Sequence, residues 1–209
     1  MTTRDQEIVT DLCSKVRFFS LEQIAGAWWQ EKSDGKGQAW KRLNRLSENG
    51  WLTFSRVLAR PILCLEKPVL EWQPDDPKPI FSTVSKALRS RWKESAREVV
   101  VFLASRRAKA VFGGKVLGVV KNLCQTTHDL HVAEVYLHYR REMPEIAQQW
   151  VGEDAVALER EGGKVPDALV RDEKGATLRA VEFGGAYAAK RVEAFHQHCE
   201  KLALPYEMW

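Results

Sequence analysis

The chain has 209 residues, 44% hydrophobic and 29% charged, with a formal net charge of +4. This composition is that of an ordinary globular protein and excludes a low-complexity or disordered chain. No run approaches the roughly 18 uninterrupted apolar residues of a membrane span. The opening stretch from Met1 to Thr10 has no apolar core like that of a secretory signal, so a cytoplasmic location with no membrane partner is expected.

The four cysteines, Cys13, Cys64, Cys124 and Cys199, stand singly, which gives neither a disulfide framework nor a cysteine-based zinc site. Charge is unevenly spread. Residues 1–120 hold 21 lysines and arginines against 13 acids, and residues 121–209 hold 11 against 15. A polyanionic partner would favour the first part.

In chain order, Ile8, Val9, Leu12 and Val16 recur at helical spacing, and Ser20-Leu-Glu-Gln23 is a capping box that opens a second helix through Ile24 and Trp28. A third helix follows Ser33 and Asp34, either of which can cap it. Its Ala39, Leu43 and Leu46 form an apolar stripe, and Gln38, Lys41, Arg42 and Arg45 share a different, basic face. Asn49-Gly50 stops that helix. Residues 51–56 and 61–65 then read as two short strands around an Arg-bearing turn.

Three helices and a hairpin are the order of a winged helix-turn-helix, whose third helix enters the major groove of duplex DNA. Lys36, Gln38, Lys41, Arg42, Arg45 and Arg56 are the expected DNA contacts, the cations on phosphates and Gln38 on a base edge. A homodimer is expected on the general habit of such proteins of binding paired half-sites.

Residues 68–80 carry four of the eight prolines and read as a linker, dividing a winged-helix domain at 1–67 from a second domain at 81–209. Beyond it, Phe81, Val84, Leu88 and Trp92 predict an amphipathic helix, residues 98–104 a buried strand, and residues 129–141 a further helix. Strands are expected at 151–158, 165–171 and 177–183, with a turn at Asp172–Gly175. A helix over 187–202 and a last strand from Tyr206 follow. The fold class is therefore mixed α and β, a winged helix joined to a mixed-sheet domain.

Pairing the second and third of those strands puts Asp167 across from Glu182. Two acids on neighbouring strands, the first after Pro166, resemble the core of the restriction-endonuclease-like nucleases, whose pattern is Pro-Asp followed by Asp/Glu-x-Lys. Such carboxylates hold Mg²⁺, and the lysine helps to activate water. Glu134 and Glu153 are expected to complete a metal cluster with Asp167 and Glu182. The motif lysine is missing, because Gly184 stands in its place, which leaves Lys190 or Lys164 as the displaced equivalent. A catalytically degenerate core is the preferred reading, with no cofactor required; the alternative is a Mg²⁺-dependent endonuclease. A zinc site built from the pairs His128/His131 and His196/His198 is the weaker possibility, since histidines two apart on a helix point in different directions.

The order of parts resembles the replication-relaxation family of plasmids and other mobile elements. The resemblance rests on Arg42–Leu52, Thr127–Glu134, Trp150 with Glu153, Val165–Ala168 and Ala180–Gly184. It implies a DNA-binding accessory factor in replication, relaxation or mobilisation, with a relaxase or replication protein as partner. It also implies DNA contacts at Lys41, Arg42 and Arg45, and Asp167 and Glu182 as relics or metal ligands.

Overall fold

A computed structural model describes residues 1–30, 33–115, 118–120, 122–157 and 165–209. In chain order come α1 (Thr3–Ser14), β1 (Phe19–Ser20), α2 (Leu21–Trp28), α3 (Gly35–Glu48) and β2 (Leu52–Ala59). They are followed by β3 (Leu70–Trp72), α4 (Phe81–Ser90), β4 (Arg97–Ala104), α5 (Arg106–Phe112) and α6 (Leu123–Glu142). The chain ends with α7 (Pro144–Gln148), β5 (Trp150–Gly152), α8 (Glu153–Ala157), β6 (Ala168–Arg171), β7 (Thr177–Glu182), α9 (Ala189–Lys201) and β8 (Tyr206–Met208). The protein is thus α+β, with a three-stranded sheet β1-β4-β2 and a five-stranded mixed sheet β3-β8-β7-β6-β5. Among the described residues no helix is long and apolar enough to cross a membrane.

Local chemistry sets the first helices. Thr2 and Asp5 form a reciprocal capping box at α1, and Ser20 and Gln23 form the expected one at α2. Asp34 is the N-cap of α3 but makes no side-chain cap bond. Ala39, Leu43 and Leu46 are its buried stripe, as their spacing predicts, and Gly50 at φ +72° turns the chain out of the helix.

Three expectations are corrected. Residues 51–65 do not form a hairpin: β2 runs unbroken through Arg56 and pairs along its full length with β4, from Leu52↔Ala104 to Ala59↔Arg97. The stretch Arg56-Val-Leu-Ala-Arg60 offers no Gly, Asn or Asp to reverse the chain, and its β-branched and apolar residues extend it instead. The proline-rich segment contains β3, whose Trp72 is a core residue and whose Leu70 pairs with Met208. The strand expected at 151–158 is instead the short β5, which gives way at Glu153 to the helical turn α8, and residue 158 lies outside the described residues.

Accordingly the chain divides into two compact units that are both discontinuous in sequence. One comprises Met1–Ile62 with Ser95–Leu137, and the other Leu63–Glu94 with His138–Trp209. The linear division at residues 68–80 is not where the contacts separate.

In the first unit, Phe18, Val57, Ala59, Val101, Leu103 and Leu130 pack together. The Trp40 ring of α3 lies 6.1 Å from both Phe54 and Phe102, which seats that helix on the sheet. In the second unit, α4 and α9 supply Val84, Leu88, Val192 and Phe195 against Leu169, Ala180, Tyr206 and Met208 of the sheet. There β5, β6 and β7 form an antiparallel meander, and β8 returns parallel to β7 after α9, as a crossover through a helix allows. Gly175 at φ +83° makes the predicted turn between β6 and β7.

Candidate nucleic-acid interface and carboxylate site

On α3 the expected contacts separate by partner. Gln38, Lys41 and Arg45 are exposed, and neither Lys41 nor Arg45 makes an ion pair among the described residues. Lys41 and Arg45 lie one turn apart, with Gln38 one turn before Lys41, so the three share a stripe opposite the buried one. Lys36 meets Glu22 at 2.5 Å with both side chains exposed. Arg56 meets Glu98 across the β2–β4 ladder at 3.6 Å, again in solvent.

Arg42 departs from its expected role. Its Nε donates to Asp5 Oδ1 at 2.9 Å and its Nη2 to Asp5 Oδ2, a two-pronged pair with a carboxylate that has no exposed surface. Burial by itself would raise the Asp5 pKa, but the hydrogen bonds from Arg42 and Thr2 outweigh it and bring the value down to about 2. Arg42 therefore ties α3 to α1 through Nε and Nη2, with its side chain only partly exposed.

In the second unit the predicted pair is brought together. The register Ala168↔Val181 sets Asp167 opposite Glu182 at the end of the ladder. Asp167 Oδ2 accepts the Phe183 N–H at 2.7 Å, and its carbonyl accepts the Glu153 N–H at 2.8 Å. Glu182 is 2% exposed, and its Oε1 accepts the Tyr187 hydroxyl at 2.7 Å. Burial first, then the charges of Glu182 and Asp167, hold that hydroxyl protonated far above its ordinary value. The Arg191 guanidinium lies 3.9 Å from the Tyr187 ring centroid.

Position 184 faces apolar atoms. A Cβ there would meet Leu88 Cδ1 at 2.7 Å, Leu88 Cδ2 at 2.9 Å and Met208 Cγ at 3.1 Å. The space beside position 184 is filled by the fully buried Leu88, so a larger side chain there has to displace it. No family model matches the chain, and neither does any curated protein or solved structure.

Lys190 does not restore the set. Lys190 is exposed on α9 and forms no hydrogen bond or ion pair with either carboxylate, while Lys164 lies outside the described residues. Glu134 belongs to the first unit, where the Gln23 side-chain amide donates to it at 2.9 Å. Among the described residues no three His, Cys, Asp or Glu gather as metal ligands do. Each carboxylate has one oxygen engaged within the chain, Asp167 Oδ2 by the Phe183 N–H and Glu182 Oε1 by the Tyr187 hydroxyl. The histidine pairs fall in different units; His131 Nδ1 donates to the Thr127 carbonyl at 2.6 Å, and His196 shares a bond with the Tyr206 hydroxyl at 3.1 Å.

Sequence reasoning missed Tyr187 and Arg191. They follow Glu182 in a turn and a helix start, outside any periodic pattern, and only the fold brings the Tyr187 hydroxyl to Glu182 and the Arg191 guanidinium over the Tyr187 ring.

Proposed function

We propose that this protein binds duplex DNA through its first unit, as an accessory or regulatory factor of a plasmid or other mobile element in replication, relaxation or mobilisation. The observation that carries the reading is the sheet order β1-β4-β2 threaded by α1, α2 and α3. A strand after the first helix, two further helices, and a late strand inserted between the other two are the winged-helix arrangement. Its third helix is the one that bears Lys41 and Arg45 in solvent without acidic partners among the described residues. Gln38 on the same stripe is the group to read a base edge.

The second unit supports a nuclease-like fold without the reaction. The order β5-β6-β7-β8, with a helix before β8, is similar to the restriction-endonuclease-like core. The filled lysine position and the internally bonded carboxylates favour a role other than phosphodiester cleavage. A relaxase or replication protein as partner and a homodimer on paired half-sites belong to the same reading, as does the likeness to the replication-relaxation family.

The test is a mobility-shift titration of Lys41→Ala/Arg45→Ala against the unaltered protein. Two lost phosphate contacts are expected to weaken duplex binding roughly 100-fold at low salt and to lower the slope of log K against log salt by about 2. Unchanged affinity overturns the proposal. Incubation with supercoiled plasmid and Mg²⁺ or Mn²⁺ is expected to give no nicking; nicking that disappears in Asp167→Ala would instead establish the endonuclease.

A further inference from the structure

Strand β2 ends the sheet β1-β4-β2, so among the described residues it has a strand neighbour on one side only. On that side it pairs with β4 residue by residue, from Leu52↔Ala104 to Ala59↔Arg97, with no bulge to bend it away. The other edge is therefore eight residues long and holds neither proline nor glycine. Natural sheets blunt such an edge with proline, a bulge, a very short strand or several charges, because its backbone N–H and C=O groups otherwise pair with another strand. Here one charged side chain, Arg56, stands in the strand.

The side chains say which strand fits. Phe54 and Leu58 stand on the same face as Arg56, two residues to either side of it, and are 47% and 59% exposed. Laid antiparallel on a second copy with Arg56 at the centre, β2 sets Phe54 opposite the partner's Leu58, and Leu58 opposite the partner's Phe54. On the other face Ser55 meets the partner's Val57 and Thr53 meets the partner's Ala59, with no charge among them. Centring on Ser55 instead sets Phe54 against the partner's Arg56, and centring between two residues puts each residue opposite one from the wrong face. The remaining mismatch is Arg56 against itself, eased by Glu98 of β4 at 3.6 Å.

We propose that β2 pairs with β2 of a second copy of this chain, antiparallel and centred on Arg56, to make a two-fold dimer. This gives a surface to the homodimer of the proposed function and rests on that part of it, but not on α3 contacting DNA. The pairing also orients α3. Its Trp40 ring lies 6.1 Å from both Phe54 and Phe102, which are direct cross-strand partners, so α3 packs through Trp40 on the face that carries Arg56. The two-fold axis of such a pairing is perpendicular to the sheet and keeps its faces. Both α3 helices then fall on one side of a continuous sheet, as reading two half-sites of one duplex requires.

The test is sedimentation velocity of the full chain without DNA, over rising protein concentration. A monomer–dimer equilibrium is expected that tightens as salt rises, because the two opposed Arg56 charges are then screened. Leu58→Lys should weaken it roughly tenfold by setting an ammonium against the partner's Phe54. Arg56→Thr should strengthen it and remove the salt effect. Both positions are exposed, and an unchanged melting curve shows that each variant keeps the fold. The register is read by oxidation in a background of Cys64→Ser and Cys124→Ser, the two exposed cysteines. There Arg56→Cys is expected to give a disulfide-linked dimer and Leu58→Cys none, since only directly opposed residues bring their Cα atoms to about 4.5 to 5.5 Å. A chain that stays monomeric at about 100 μM overturns the second copy as occupant and leaves the edge to a strand of another protein. A dimer indifferent to both Leu58→Lys and Arg56→Thr, or linked through Leu58→Cys and not through Arg56→Cys, overturns this pairing. Failure of DNA contact through α3 would appear separately, in the Lys41→Ala/Arg45→Ala titration, with the dimer intact.

Discussion

On α3, Lys41 and Arg45 stand in solvent with no acid paired to them among the described residues, whereas at the ends of β6 and β7 Asp167 and Glu182 lie buried with donors already attached. Sequence presents both as charged constellations of equal standing. What separates them is where the partner of each charge lies. A charge with its partner inside the chain stabilises the fold, and a charge without one is available to something outside. By the same criterion Arg42 belongs with the buried acids, although it shares a helix with Lys41.

That comparison can be broken most forcefully at Arg42. Replacing it with alanine leaves Asp5 buried and unpaired, and is expected to cost about 3 kcal/mol in chemical denaturation. If Arg42→Ala instead left stability unchanged and weakened DNA binding alone, Arg42 would belong to the interface. The same pair sets a pH dependence. The Asp5 pKa is about 2 when folded against 3.8 for an ordinary aspartate, so its contribution is complete above pH 4 and is lost as the pH falls towards 2. Acid titration of the unaltered protein should show this loss, and Asp5→Asn should show less of it.

Tyr187→Phe sharpens the other side of the comparison. Removing the hydroxyl withdraws a donor from a carboxylate that is 2% exposed, with an expected cost of about 2 kcal/mol and little change in α3-mediated DNA binding. A smaller loss, about 1 to 2 kcal/mol, is expected for Gly184→Ala, whose Cβ would press on Leu88. Gly184→Lys should be worse still and should yield no Mg²⁺-dependent nicking, since its side chain has no room to reach the acids. The smallest effect is at Lys36→Ala, where an exposed pair with Glu22 is worth less than about 0.5 kcal/mol by thermal melting.

The parts legible in sequence were those set by local spacing. The capping box at Ser20, the buried stripe of α3, the turn at Gly175 and the facing of Asp167 and Glu182 all follow from periods of a few residues. The parts that were not legible depend on pairing across long separations. Nothing near residue 59 announces that its partner is Arg97, and nothing near Leu70 announces Met208. The prolines around β3 read as a linker because proline is rare inside sheets, but the three residues that pair contain none. The filling of position 184 by Leu88 is also invisible, since the two meet only through the packing of α4 on the second sheet.

The late arrival of β4 has a consequence for how the protein is made. Until the ribosome has released the segment around Arg97–Ala104, β2 has no neighbour, because β4 alone joins it to the sheet. A nascent chain cut off near residue 67 would leave Phe54 and Leu58, 47% and 59% exposed even in the finished fold, on an unpaired strand open to other chains. Closing so long a loop is slow compared with forming a hairpin, so the first unit, although first in sequence, should be completed late in synthesis.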